Sequence, residues 1–166
     1  MTERSREQQL AELLTARGFT IATAESCTGG LVSHRITTVA GSSSYFPGGV
    51  VSYSNGLKQS LLGVTAAILE QRGAVSRECA LAMARGVCRL TGADVGVSTT
   101  GIAGPGGATA RKPVGLIYVA CSTPDGDVVQ EHRWHGSRLE NIELATDAAL
   151  ALVVDVLDGS IAPDER

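Results

Sequence analysis

A short apolar run, Ile21-Ala22-Thr23-Ala24, stops at Glu25, Ser26, Cys27 and Thr28 and at the glycine pair Gly29-Gly30, and apolar residues then return at helical spacing. The run reads as the end of a strand and residues 31–36 as the helix behind it. The layout sets the Ser26 hydroxyl at the lip of a sheet, near the free N–H groups that open a helix, where negative charge is stabilised. A nucleophile with its oxyanion hole fits there. Serine and threonine in the same place also act as plain helix caps.

The rest of the chain repeats this alternation. Leu10, Leu13 and Leu14 predict a first amphipathic helix that Gly18 ends, before a strand over 19–24. A second strand is expected from Gly48 or Gly49 to Tyr53, followed by a short helix capped by Ser54 and Asn55 that carries Lys58, Leu61 and Leu62. Another helix is predicted over 66–72, and a longer one behind Ser76 with Ala80, Met83, Ala84 and Val87 at helical spacing. Residues 95–99 read as a strand, and a glycine-rich loop follows from Gly101 to Gly107. Residues 114–122 and 128–134 read as a hairpin around Asp125-Gly126, with a turn longer than the tightest types. Ser137 and Glu140 make a capping box for a last helix with Ile142, Ala145, Ala149, Leu152, Val153 and Val156 on one side. Beyond Asp158 a frayed tail is expected. Helices alternating with strands, then a hairpin, predict a mixed sheet covered by helices on both faces.

With 166 residues the chain suits one domain, with its core over about 8–158. Aromatic residues make up 4% and the net charge is −3, which argues against a base-stacking platform or a polyanion-binding face. Hence no nucleic-acid partner is expected. No apolar segment approaches the roughly 20 residues of a membrane span, and the polar start lacks the apolar core of a signal peptide. A cytoplasmic chain with no membrane partner is the expectation, and Met1 before a polar helix favours a chain that stands alone. The four cysteines, Cys27, Cys79, Cys88 and Cys121, show no C-x-x-C pairing, and His132 and His135 should point to opposite faces of a strand. No metal site and no cofactor are expected.

Ser26 lacks a histidine in a favourable setting, and the G-x-S-x-G elbow is absent because Ala24 and Thr28 stand where glycines belong. Tyr53-Ser54-Asn55-Gly56-Leu57-Lys58 offers another base. Tyr53 closes a strand and Lys58 sits in the first helical turn beyond it, so both can project over one sheet edge. A partly desolvated lysine near a helix start has its ammonium form disfavoured, which suits a general base, and Tyr53 could relay the proton or hold the lysine. Taken singly, Lys58 reads rather as a solvated surface charge and Tyr53 as a strand-edge aromatic. The glycine-rich loop, with Arg111 and Lys112, reads as an anion cradle or as an ordinary loop. A Walker A loop is excluded because Gly106 is followed by Gly107-Ala108.

In this order AESCTGG, GGVVSYSNGLK, LLGV, GAVS, TGIAGPGG and KPVG resemble the CinA C-terminal domain, from the competence/damage-inducible protein family. The resemblance runs from about Leu10 to Leu157. It implies a three-layer α/β/α sandwich with a mixed, mainly parallel sheet, commonly in a homo-oligomer. Stand-alone members of the family hydrolyse the carboxamide of nicotinamide mononucleotide to nicotinate mononucleotide and ammonia, which implies a small nucleotide as partner. The family's catalytic serine, tyrosine and lysine fall on Ser26, Tyr53 and Lys58. Lys58, helped by Tyr53, would then deprotonate Ser26, with N–H groups of Thr28, Gly29 and Gly30 holding the oxyanion. Thr100, Gly101, Gly104, Lys112 and Arg138 are the expected substrate contacts.

One departure stands out. Many family members carry Gly-Asp/Asn-Arg and a second arginine four residues on, resembling a phosphate anchor, whereas here Gly136-Ser137-Arg138 is followed by Ile142. A lost charge-assisted phosphate contact costs about 1.5–3 kcal/mol. Ile142 also simply extends the apolar side of the last helix. Two expectations follow: an amidohydrolase, or a non-catalytic nucleotide- or partner-binding module on the same fold.

Overall fold

The structure, a computed structural model, describes residues 2–164. Helices begin where the sequence supplies a cap. Ser5, Ser54, Thr65, Ser76 and Ser137 each accept a backbone N–H from the first turn of α1 (Arg6–Arg17), α3 (Asn55–Leu62), α4 (Ala66–Gln71), α5 (Arg77–Thr91) and α6 (Arg138–Leu157). Ser5 with Gln8 and Ser137 with Glu140 complete capping boxes. The exception is α2 (Leu31–Thr37), whose N-cap is Gly30 with no side-chain cap of its own.

The strands are β1 (Ile21–Glu25), β2 (Gly48–Val51), β3 (Val95–Gly101), β4 (Leu116–Thr123) and β5 (Gly126–Arg133), in the spatial order β2-β1-β3-β4-β5. β1 pairs parallel with both β2 and β3, while β4 is antiparallel to β3 and to β5. Four of the five strands therefore point the same way, with β4 alone reversed, and the sheet is mixed.

Alternation along the strands divides two cores. Ile21, Val95, Val97, Ile117, Val119 and Cys121 meet α1, α2 and the apolar side of α6 on one face. Ala22 and Ala24 meet Leu62, Cys79, Met83 and Val87 on the other, and Leu116, Tyr118 and Ala120 meet Ala80 and Ala84 there. This is the three-layer α/β/α sandwich that the sequence predicts. Close approach on the second face depends on glycine. A Cβ at Gly86 would lie 1.9 Å from the Leu62 carbonyl oxygen, and one at Gly96 would lie 2.2 Å from that of Ala84.

Three details differ from expectation. Thr123 pairs with Gly126, so the hairpin turns through two residues, Pro124 and Asp125, and is tighter than predicted. β2 ends at Val51, two residues before Tyr53. Residues 159–164 do not fray. Asp127 and Asp164 exchange backbone hydrogen bonds, and Ile161 packs against the larger core.

Candidate functional site

The chain leaves β1 toward α2 on one face and leaves the adjacent, parallel β2 toward α3 on the other. Connections that diverge in this way open a crevice beyond the carboxyl ends of the two strands, the usual place for a ligand in an open α/β sheet. Ser26 follows β1 there and Lys58 lies just beyond β2.

The serine is fixed from both sides. Its N–H donates to the Thr99 carbonyl at 3.0 Å, and the carbonyl of the preceding Glu25 accepts from the Ser52 N–H at 2.8 Å. Lys58 is the fourth residue of α3, and side chains on a helix lean toward its N-terminus. Its Nζ accordingly turns back on its own connection, 2.7 Å from the Ser52 carbonyl oxygen and 3.4 Å from that of Tyr53, and stands 2.9 Å from Ser26 Oγ. Lys58 is 1% exposed and belongs to no ion pair among the described residues.

Burial holds the Lys58 ammonium below the usual lysine range, against a smaller opposing influence of Cys79 and Cys27. A neutral amine in this place would have two N–H groups for the two carbonyls and one lone pair for the Ser26 hydroxyl. Burial also pushes the Cys27 thiol up to about 12 and the Cys79 thiol up to about 11, so neither is a thiolate near neutrality.

Glu25 organises the turn, a role the sequence reading missed. Its carboxylate, 1% exposed, accepts from the N–H groups of Gly30, Val32 and Ser33 and from the hydroxyls of Thr28 and Ser33, at 2.6 to 3.2 Å. The N-terminus of α2 thus has its counter-charge, and its amides are not open to a ligand. Thr28 gives its proton to Glu25, so Thr99 Oγ1 donates to Thr28 Oγ1 at 2.8 Å. The signal was present as a carboxylate five residues before a helix lacking a capping side chain.

The expected oxyanion donors are corrected by the same contacts. The Gly29 N–H closes a turn onto the Ser26 carbonyl at 3.1 Å, and the Gly30 N–H is held by Glu25. Of Thr28, Gly29 and Gly30, only the Thr28 N–H has no acceptor among the described residues, and the Cys27 N–H next to the nucleophile meets only its own side-chain sulfur.

Ser26 and Lys58 open onto a cavity of about 220 Å³ that Tyr53, Asn55, Val75, Thr100, Gly101, Ala103 and Arg138 also line. Thr100 and Gly101 lie where expected, although the Thr100 hydroxyl donates to the Ala74 carbonyl at 2.7 Å. Gly104 contributes its carbonyl, which accepts from Arg138 at 2.7 Å. Arg138 also donates to the Tyr53 hydroxyl at 3.0 Å, so the phenol is engaged with the arginine and Tyr53 meets Lys58 through its main chain. Lys112 is not among the lining residues. Its ammonium donates to the Arg72 carbonyl at the end of α4. Asn141, fully buried and unremarked in the sequence, bonds the Ala103 carbonyl and both backbone groups of Gly136, which fastens the glycine-rich loop to the start of α6. A separate cavity of about 250 Å³ beside α5 and β5 holds the Arg85–Asp127 ion pair and no serine or lysine.

Fold and site together define a doubly wound α/β domain with a buried Ser–Lys pair at the point where its connections diverge. Residues 3–157 match the CinA C-terminal domain, and the chain belongs to that family. Relatives named CinA-like protein occur in Desulfotalea psychrophila, 50% identical over 146 residues, and in Chloroherpeton thalassium, 45% identical over 163 residues. The matches cover 88% and 96% of this chain but 35% and 39% of those relatives, so the chain spans little more than a third of their length. Solved structures match it along their whole length. The competence/damage inducible protein CihA from Agrobacterium tumefaciens is 38% identical, with a TM-score of 0.87 over 95% of this chain and 99% of that one. A CinA-superfamily protein from Klebsiella pneumoniae is 30% identical, with a TM-score of 0.88 over 94% and 99%.

Proposed function

We propose that the chain is an amidohydrolase that converts nicotinamide mononucleotide and water to nicotinate mononucleotide and ammonia. The observation that carries the reading is the Lys58 amine, buried without a carboxylate partner among the described residues and 2.9 Å from Ser26 Oγ. Lys58 takes the Ser26 proton as the oxygen attacks the carboxamide carbon. The Cys27 and Thr28 N–H groups support the developing oxyanion. Lys58 then protonates the departing nitrogen, ammonia leaves, and a nicotinate acyl ester remains on Ser26. Water enters, gives a proton to Lys58 and attacks the ester. Collapse returns the proton to Ser26 and releases the carboxylate. Arg138 lines the same cavity as Ser26 and Lys58. A cation there favours a substrate whose amide lies at Ser26 and whose phosphate lies toward Arg138.

The competing reading is a nucleotide- or partner-binding module without turnover. Ile142 favours it, standing half-buried one helical turn after Arg138 where the family resemblance leads one to expect a second arginine. Ammonia release from the mononucleotide separates the two. Ser26→Ala is expected to lower the rate by about three orders of magnitude or more. Release that does not depend on Ser26 would exclude the enzyme reading.

A further inference from the structure

Arg138 has a setting unusual for an arginine. It is the first residue of a 20-residue helix, where the positive end of the helix dipole opposes its own charge, and it joins no ion pair among the described residues. Glu140, the acid of the same turn, is bonded to the Ser137 N–H. The guanidinium is held by two neutral acceptors from distant parts of the chain, the Gly104 carbonyl at 2.7 Å and the Tyr53 hydroxyl at 3.0 Å. Of its five N–H groups, the remainder have no acceptor among the described residues. Charge without a counter-ion, fixed by neutral partners at the edge of a cavity, is the arrangement that receives an anion.

We propose that the Tyr53 hydroxyl is the positioning group of this anion anchor: with the Gly104 carbonyl it fixes the Arg138 guanidinium beside the cavity, so that the free N–H groups receive the phosphate of the substrate. The proposal rests on the nucleotide reading above and gives Tyr53 a task different from proton relay. Tyr53 is 61% exposed, as suits a side chain that meets the outer end of a ligand, and its main-chain carbonyl already serves Lys58. Once the Tyr53 oxygen accepts from Arg138, its own proton is free to donate to the same anion.

The test is Tyr53→Phe, which keeps the ring and removes only the oxygen. The expected loss in kcat/KM for nicotinamide mononucleotide is about tenfold and falls in KM, because binding to the non-reacting end of the substrate is lost. Discrimination between the mononucleotide and its dephosphorylated riboside falls by about the same factor. Arg138→Lys gives a similar loss, and the double variant is no worse than Arg138→Lys alone, since one group acts through the other. Ribose 5-phosphate binding by calorimetry, which needs no turnover, should weaken about tenfold in Tyr53→Phe. A loss confined to kcat with KM unchanged, or sugar-phosphate binding that is absent in the wild type or indifferent to Tyr53, overturns the proposal. A wild type that binds the sugar phosphate through Tyr53 yet releases no ammonia supports the anchor and removes the amidohydrolase reading instead.

Discussion

At the scale of single residues, the position of Ser26 depends on a carboxylate that does not touch its hydroxyl. Glu25 gathers three amides and two hydroxyls of the following turn and helix, and so sets the path on which Ser26, Cys27 and Thr28 lie. Glu25→Gln replaces an acceptor by a donor that must face one of those N–H or O–H groups. We expect unfolding free energy to fall by about 2 kcal/mol, within the range for hydrogen bonds to charged groups, and kcat to fall with it. Urea unfolding and steady-state rates check this, and unchanged stability would show that the carboxylate does not hold the turn. Ser26 and Lys58 were legible in the sequence because each lies a fixed few residues past a recognisable strand end. Other roles were not. Whether an N–H is open or occupied depends on how the chain curls, which misplaced Gly29 and Gly30, and the Tyr53 hydroxyl found a partner 85 positions away in Arg138.

At the scale of elements, boundaries could be read from the side chains that make them. Ser54, Ser76 and Ser137 cap where expected, and Gly18 terminates α1 in the left-handed conformation, at a φ of 65°. Errors arose where a contact from elsewhere overrides local pattern. The polar tail after Asp158 resembles a frayed end, but backbone pairing with Asp127 holds it. Lys112 looked like an anion ligand within its loop, and the fold carries that loop to the end of α4 instead. Packing of α3 on α5 has a direct bearing on the site, because α3 carries Lys58. A methyl group at Gly86 would overlap the Leu62 carbonyl and push the helices apart. Gly86→Ala should therefore cost about 1–3 kcal/mol of stability by overpacking. It should also lower kcat by moving Lys58 away from Ser26. Thermal unfolding and turnover together check it; a variant as stable and as fast as the wild type would mean that the α3–α5 approach does not set the lysine.

At the scale of the whole molecule, the alternation of helices and strands already indicated the three layers, but not the crevice. The site exists because β1 and β2 run parallel and send their connections to opposite faces, a property of the topology that no single segment carries. Membership in the CinA C-terminal domain family agrees with that arrangement. The fold buries a lysine that no carboxylate balances among the described residues, which disfavours the ammonium and supports the proposal that it is the base for Ser26. The sign of the resulting pH dependence is fixed. If the neutral amine is the working form, as proposed, the rate climbs with pH through the lowered Lys58 value, and the climb disappears when Lys58 does. The decisive measurement is ammonia release from nicotinamide mononucleotide by wild type and Lys58→Met, from about pH 6 to about pH 9. The wild-type rate should rise with pH, and a folded Lys58→Met variant should be at least about a hundredfold slower throughout. A Lys58→Met variant that retains the wild-type rate and pH profile would contradict it.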